Sequence, residues 1–143
     1  MDSNNNSEIE SELKKLGYWN NIYSKQNYFG TGPTILALEA HELIKNNSIT
    51  DILELGCGQG RDSLFFANFG HNVTATDISE NAINSVKKIK NEQNIENLEL
   101  YLHNTLNSFN FHNLKFELIY SNLALQFFDL KQLSQIFSNI KKI

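Results

Sequence analysis

The stretch that decides the fold reads ILELGCGQGRDS and runs from Ile52 to Ser63. Apolar residues surround an acid, Glu54, two positions before the first of three glycines. These glycines lie at alternate positions: Gly56, Gly58 and Gly60. Arg61 and Asp62 then begin an apolar segment. The pattern predicts a strand that ends in a tight turn and restarts as a helix, which lets a bulky ligand approach bare backbone at the helix N-terminus.

The spacing of acids around this turn indicates the kind of ligand. Asp77 ends the next predicted strand about 20 residues further on, the usual distance for an acid that binds a ribose. A dinucleotide site has the pattern G-x-G-x-x-G, because a pyrophosphate lies on the helix. Here the spacing is G-x-G-x-G, and Glu54 would repel a pyrophosphate. A carboxylate at that position suits a cationic amine without a phosphate, and S-adenosylmethionine is such a ligand.

The stretch with Glu54 and Asp77 resembles the class I S-adenosylmethionine-dependent methyltransferases. Its continuation GQGRDSLFFA, residues 58–67, is most similar to the branch with the thiopurine and tellurite-resistance methyltransferases. The resemblance implies transfer of a methyl group from S-adenosylmethionine to a small-molecule acceptor. It also implies an α/β fold with a Rossmann-like parallel sheet and helices on both faces. The segment FELIYSNLALQFF, residues 116–128, is unlike the Asn-Pro-Pro-Tyr motif of methyltransferases that modify DNA bases or glutamine.

The resemblance also implies which residues bind the cofactor. They are Trp19, Glu54, Gly56, Cys57, Gly58, Gly60, Arg61, Asp62, Asp77, Ile78, Asn104, Thr105 and Ser121. Glu54 would orient the amine of the methionine part, and Asp77 would accept hydrogen bonds from both ribose hydroxyls. Ile78 would pack on the adenine, and Ser121 would lie beside the sulfonium.

Two of these residues have alternative interpretations. Asn104 stands where the family often has an acid that binds the adenine amino group, and its side-chain oxygen could accept that bond. The alternative is an ordinary loop asparagine. Trp19 belongs to an aromatic N-terminal segment that forms a lid in the resembled branch, and aromatic faces attract a sulfonium cation. The alternative is ordinary packing of these rings on the sheet.

Strands and helices alternate along the chain, which predicts a parallel sheet covered on both faces. The predicted strands are 51–55, 73–76, 98–102 and 118–121. Right-handed crossovers give the order 3-2-1-4. We expect a flexible tail over residues 1–12 and one methyltransferase domain over residues 13–143.

Three predicted helices concern positions near the site. Ser79 is expected to cap the helix after the second strand. Pro33 is expected to begin a helix with Leu36, Ala40 and Leu43 on one face. Asp129 is expected to cap the last helix, with Leu130, Leu133, Phe137 and Ile140 on one side. Phe127 and Phe128 are expected in the core, with a substrate-pocket wall as the alternative.

Composition excludes several classes of function. The net charge is −4 and Arg61 is the only arginine, which disfavours nucleic acid as a partner. Cys57 is the only cysteine, so we expect no internal disulfide and no metal site. The polar start MDSNNNS is unlike a secretory signal, and no apolar run approaches membrane-spanning length. We therefore expect a cytoplasmic protein that binds no membrane.

The sequence ends after the helix that follows the fourth strand. In the resembled family a Pro-Gly-Gly turn and three more strands follow, so we expect a C-terminally truncated domain. The alternative is a partner chain, or self-association, at the exposed edge of the fourth strand.

The nature of the acceptor is the least defined part of the prediction. None of the four histidines lies where a general base is needed, and no catalytic residue is assigned. This favours an acceptor that needs no base, such as a thiol or a metalloid oxyanion. A non-catalytic cofactor-binding subunit or remnant that needs a partner is the alternative. A nicotinamide-dependent oxidoreductase fits the glycine spacing poorly.

Overall fold

A computed structural model describes residues 3–111 and 114–143 of the chain. Its strands are β1 Asp51–Leu55, β2 Asn72–Asp77, β3 Leu98–Leu102 and β4 Leu118–Tyr120. Its helices are α1 Ser3–Tyr23, α2 Ile35–Ile44, α3 Arg61–Asn68, α4 Glu80–Glu92 and α5 Leu130–Ile140, with a short 3₁₀ turn at Leu125–Phe127. His112, just before the fourth predicted strand, lies outside the described residues. No helix in the described ranges combines the length and hydropathy needed to cross a membrane.

The four strands form one parallel sheet in the order β3-β2-β1-β4, which confirms the predicted order. Ile52, Leu53 and Leu55 of β1 are at most 1% exposed, as expected of a central strand covered on both faces. In the register of the sheet, Glu54 lies beside Ala75 of β2 and Tyr120 of β4. The carboxyl ends of these three strands therefore meet at one edge, where ligands of such sheets bind.

Two apolar clusters cover the two faces of the sheet. The larger one includes Phe66 of α3 and Val86 of α4, both fully buried, together with Ile52 of β1. The smaller one joins Leu53 and Leu55 to Phe109 and to the partly buried side chains Phe111, Phe116, Ile119, Ile140 and Ile143. The alternation of β1 side chains between these clusters fixes its register, because a slip by one residue would exchange the two faces.

The predicted caps of two helices are confirmed. The Ser79 side chain accepts a hydrogen bond from the backbone N–H of Ala82 at the start of α4. Asp129 forms a capping box with Gln132 at the start of α5. Such caps satisfy backbone N–H groups that have no partner within the helix.

Of the three residues on the predicted apolar face of α2, Ala40 alone packs against the core. Ala37 and Ile44 are buried, whereas Leu36 is 42% and Leu43 is 85% exposed. The helix is capped by Thr34 rather than begun by Pro33. Hydrogen bonds from Thr34 to a side chain of α3, described below, fix the rotation of α2 about its axis, which the helical period alone does not.

The predicted face of α5 is also partly wrong. Ile136 and Asn139 are its buried residues, whereas Leu130 is 85% and Phe137 is 50% exposed. The Asn139 side-chain amide donates a hydrogen bond to the carbonyl oxygen of Leu106 at 3.2 Å. A polar contact to a distant loop therefore sets the rotation of this helix.

The predicted division of the chain at residue 12 falls within α1. The side chains of residues 6–11 are exposed, whereas Glu12 is partly buried and accepts a hydrogen bond from Asn104 at 2.9 Å. The predicted flexible tail therefore ends where α1 first contacts the rest of the domain, through the hydrogen bond between Glu12 and Asn104. That residues 1–12 are flexible stays a prediction.

Candidate functional site

A cavity of about 300 Å³ lies at the carboxyl edge of the sheet. It brings together eleven of the thirteen predicted cofactor-binding residues: Trp19, Glu54, Gly56, Cys57, Gly58, Arg61, Asp62, Asp77, Ile78, Asn104 and Thr105. Gly60 and Ser121 are absent from its wall. The C-terminal part of α1 and the segment after β4 form the opposite side of the cavity. Most of the predicted residues therefore lie together at one cavity, and that they bind the cofactor stays a prediction.

The glycine loop presents bare backbone to this cavity. Gly56 has φ +72°, and a Cβ atom there would lie 2.4 Å from the Cβ of Ala124. Gly58 has φ +52°, and a Cβ atom there would lie 2.8 Å from the hydroxyl oxygen of Tyr23. Both positions therefore need glycine for backbone conformation, and Gly56 also needs it for space. Gly60 instead packs against Val86 of α4, where its absent side chain lets the loop approach that helix.

Asp77 connects the glycine loop to the start of α4. One carboxylate oxygen accepts from the backbone N–H of Gly58 at 2.8 Å, and the other accepts from that of Ser79 at 2.9 Å. Asp77 is 6% exposed, and burial raises its pKa against the opposing effect of these bonds. An ionised carboxylate has about four acceptor sites, so each oxygen of Asp77 retains capacity for a ligand hydroxyl.

Glu54 is the second buried acid of the cavity. It is 3% exposed, and its carboxylate accepts a hydrogen bond from the hydroxyl of Ser63. Burial raises the pKa of Glu54 to about 8, with a further contribution from the charges of Asp62 and Asp77, while the bond from Ser63 opposes the rise. A cation placed beside this side chain would favour its ionised form.

Asp62 organises a third group of hydrogen bonds, between α3, α2 and β4. It accepts from the backbone N–H and the hydroxyl of Thr34, both at 2.8 Å, and from the hydroxyl of Tyr120 at 2.7 Å. Asn122 donates to the Thr34 hydroxyl at 2.9 Å. Burial raises the pKa of Tyr120, so this hydroxyl remains a donor.

Sequence reasoning missed Thr34 and Tyr120. A threonine directly before an apolar helical segment is the usual sign of an N-cap and could have identified the first. A tyrosine within a buried strand needs a partner for its hydroxyl, which could have indicated the second but not which partner.

Arg61 reaches away from the glycine loop toward the chain before α2. Its Nε donates to the carbonyl oxygen of Gly32 at 2.8 Å, and its Nη1 donates to that of Phe29 at 2.6 Å. The guanidinium, predicted to bind the cofactor, is thus engaged by backbone carbonyls of this protein. Arg61 still lines the cavity, but its guanidinium already donates hydrogen bonds to the protein backbone.

Gln59 makes a second set of contacts to the same segment, residues 24–34. Its amide nitrogen donates to the carbonyl oxygen of Lys25 at 2.8 Å, and its amide oxygen accepts from the backbone N–H of Tyr28 at 2.9 Å. We call residues 24–34 the strap. Side chains of the glycine loop and of the first turn of α3 therefore hold the strap against the cavity.

Aromatic rings form the outer wall of the cavity. Trp19 stacks on Tyr23 with ring centroids 5.8 Å apart and meets Phe127 edge to face at 5.0 Å. Phe127 is 49% exposed and lines the cavity with Phe128, so the prediction that both belong to the core is wrong. The 3₁₀ turn after β4 directs them to the cavity because the chain leaves the sheet at this edge.

The far end of the cavity is formed by the exit of β3. The side-chain oxygen of Asn104 accepts from the backbone N–H of Leu106 at 3.0 Å, and its amide nitrogen donates to Glu12 at 2.9 Å. Ser121, predicted near the sulfonium, instead donates to the carbonyl oxygen of Leu55 at 3.0 Å. That bond joins the exit of β4 to the end of β1.

The family model for "Tellurite resistance protein TehB" matches residues 18–143. The chain belongs to the TehB family. A curated relative from Haemophilus influenzae strain Rd, "Probable S-adenosyl-L-methionine-dependent methyltransferase TehB", is 29% identical over 120 residues, which are 82% of this chain and 41% of the relative. The corresponding protein of strain 10810 is 28% identical over 120 residues, with the same shares covered. This TehB-family chain therefore spans about two fifths of the length of these relatives.

Solved structures agree with this assignment. The crystal structure of TehB from Haemophilus influenzae superposes with a TM-score of 0.64 at 25% identity, over 90% of this chain and 41% of that one. The glycopeptide N-methyltransferase MtfA complexed with S-adenosyl-L-methionine superposes with a TM-score of 0.68 at 19% identity. The match covers 78% of this chain and 50% of that one. At that identity the second likeness shows the fold alone.

Proposed function

We propose that this chain binds S-adenosyl-L-methionine and transfers its methyl group to a small-molecule acceptor. The observation that carries the proposal is the pair of buried carboxylates, Glu54 and Asp77, on either side of a bare glycine loop. This donor and acceptor set fits a ligand with a cationic amine and a ribose diol but no phosphate. Membership of the TehB family and the names of its relatives support the same cofactor.

Each part of the cavity has a defined task in this proposal. Ionised Glu54 accepts from the amine, and Asp77 accepts from the ribose hydroxyls in charge-assisted bonds. The backbone at Gly56 and Gly58 lies against the methionine part, and the ring of Trp19 faces the cationic end. The cofactor supplies an activated methyl group on a sulfonium. The chain supplies alignment of the reactants, which can contribute about 7–11 kcal/mol.

We propose a thiol or a metalloid oxyanion as the acceptor. A metalloid oxyanion is already anionic, and a thiol with a pKa near about 8.5 ionises readily, so neither requires a strong protein base. The family description, which refers to tellurite resistance, favours the oxyanion. The aromatic wall around Phe127 and the strap would exclude water from such an acceptor.

A cofactor-binding subunit that is completed by another chain is the second candidate. Within the described residues, β4 pairs with β1 on one side and with no strand on the other. An unpaired strand edge is a template for a further strand, from a partner chain or from a second copy. Size-exclusion chromatography with light scattering distinguishes a monomer from a self-associated form.

Calorimetric titration tests cofactor binding. We expect S-adenosylmethionine and S-adenosylhomocysteine each to bind saturably to the wild-type chain. Asp77→Ala should weaken both by about tenfold or more, because hydrogen bonds to a charged group contribute about 1.5–3 kcal/mol each. Glu99→Ala, an exposed acid of β3, is the control and should bind as wild type does. A folded wild-type chain that binds neither compound refutes the proposal, and normal binding by Asp77→Ala refutes the ribose assignment.

Methyl transfer is tested with labelled cofactor and either a thiol or tellurite. Label in the acceptor product supports the enzyme. Binding without transfer to either acceptor, together with transfer once a partner chain is added, supports the second candidate.

A further inference from the structure

The adenine end of the cavity contains an acid that the sequence motifs do not indicate. The sequence resemblance implies that adenine binds at the exit of the third strand, where this chain has Asn104 rather than an acid. The structure brings Glu12 of α1 to this place, although the two residues are 92 positions apart in sequence. Glu12 lines the same cavity as Ile78 and Thr105.

The hydrogen bonds of Asn104 determine what it presents to a ligand. Its side-chain oxygen accepts from the backbone N–H of Leu106 at 3.0 Å, so the amide nitrogen points away from that turn. One amide hydrogen is donated to Oε2 of Glu12 at 2.9 Å, and the other remains for a ligand. Asn104 therefore offers a donor where the family acid would offer an acceptor.

Glu12 offers the acceptor that Asn104 does not. Its side chain is about one-third exposed, with Oε1 3.7 Å from the ammonium of Lys15. That ammonium also lies 5.7 Å from the ring centroid of Phe128, another residue of the cavity wall. The ion pair and the bond from Asn104 hold the carboxylate at the rim of the cavity.

The two side chains together match one edge of adenine. That edge carries an amino group, which donates, beside a ring nitrogen, which accepts. We propose that Glu12 determines the specificity for adenine in the cofactor, by accepting from the amino group while Asn104 donates to the ring nitrogen. The inference rests on the proposed function, because it assigns a role within the same cofactor site.

The deaminated analogue S-inosylhomocysteine tests this role. A carbonyl oxygen replaces its amino group, and the neighbouring ring nitrogen carries a hydrogen, so both hydrogen-bonding functions are reversed. Calorimetry with the wild-type chain should show S-adenosylhomocysteine binding at least about tenfold more tightly than the analogue, the value of one charge-assisted bond. In Glu12→Ala this preference should fall several-fold, mainly through weaker binding of the adenosyl compound. The preference that remains comes from Asn104, which can donate to the ring nitrogen of adenine but not to the protonated nitrogen of the analogue.

Two further variants separate specificity from a role of Glu12 in anchoring α1. Glu12→Gln keeps the length of the side chain, and its amide can turn to donate to a carbonyl, so the preference should fall while analogue binding improves. Glu10→Ala on the exposed side of the same helix should keep the wild-type preference. Circular dichroism confirms that each variant is folded.

Each outcome decides the inference. An equal loss of affinity for both compounds in Glu12→Ala, or a wild-type preference retained in Glu12→Gln, overturns it and leaves the cofactor proposal intact. A wild-type chain that binds both compounds equally also overturns it alone. A folded wild-type chain that binds neither compound overturns the inference together with the proposed function.

Discussion

Replacement of Glu54 by glutamine should remove a large pH dependence of stability. Burial raises the pKa of Glu54 from its ordinary 4.5 to about 8 in the folded chain. Between about pH 4.5 and pH 8, the folded state therefore holds a proton that the unfolded state has released. The stabilisation is complete below about pH 4.5 and is lost progressively as the pH rises through about 8.

The magnitude follows from the free energy of one protonation. A pKa unit corresponds to about 1.4 kcal/mol. The rise in the pKa of Glu54 therefore corresponds to on the order of 3–5 kcal/mol of folding stability. That is a large share of the roughly 5–15 kcal/mol by which domains are stable. With a urea m-value of about 2 kcal/mol per molar, the unfolding midpoint should fall by about 1.5–2 M between pH 5 and pH 9.

Urea titrations followed by far-ultraviolet circular dichroism measure this midpoint for wild type and Glu54→Gln. The difference between the two chains isolates Glu54, because His71 and Asp77 titrate in both. Glutamine retains the size of the side chain and an acceptor for the Ser63 hydroxyl. Above pH 6, we expect the urea midpoint of Glu54→Gln to decline much less than that of wild type. If the urea midpoints of the two chains fall in parallel with pH, the reasoning is refuted. The control is Glu99→Gln, on the exposed side of β3, whose midpoints should follow those of wild type.

Three further substitutions test the glycine loop and the strap. Gly56→Ala should destabilise the chain by about 2–4 kcal/mol, since it adds strain at positive φ and a Cβ atom 2.4 Å from that of Ala124. Gly30→Ala has positive φ but open space, so in the same urea assay it should cost only about 1–2 kcal/mol, and an equal cost would contradict the steric argument. Arg61→Lys should speed tryptic cleavage after Lys25 several-fold, because the lysine ammonium lacks the planar fork with which Arg61 reaches both strap carbonyls. Unchanged digestion kinetics by mass spectrometry would show that the strap is held by other contacts.

The parts of the fold that could be predicted are those whose cause is local in sequence. The order of the sheet follows from alternating strands and helices and from the handedness of crossovers. The glycine loop follows from backbone conformations that only glycine adopts easily, and the caps of α4 and α5 follow from Ser79 and Asp129 next to their own helices. Each of these signals lies within a few residues of the element that it determines.

The predictions that failed concern contacts between residues far apart in the chain. Apolar periodicity gives α2 a buried stripe, but the bond between Thr34 and Asp62, 28 residues away, sets which stripe is buried. Helix α5 is rotated in the same way by the Leu106 carbonyl. Several side chains satisfy the same periodicity about equally well, so one partly buried hydrogen bond is enough to select between them.

Arg61 shows why a motif identifies a site better than it identifies the role of each side chain. Its position beside the glycine loop is fixed by the motif, but a guanidinium on a long side chain can reach either a ligand or the chain itself. The strap places two carbonyl oxygens, those of Phe29 and Gly32, within reach, and the guanidinium donates to both. The buried acids Glu54 and Asp77 have less freedom, since each lies near the end of a strand whose geometry directs it into the cavity. The prediction should therefore hold best for buried side chains at strand ends and least for long side chains outside the strands, such as Arg61.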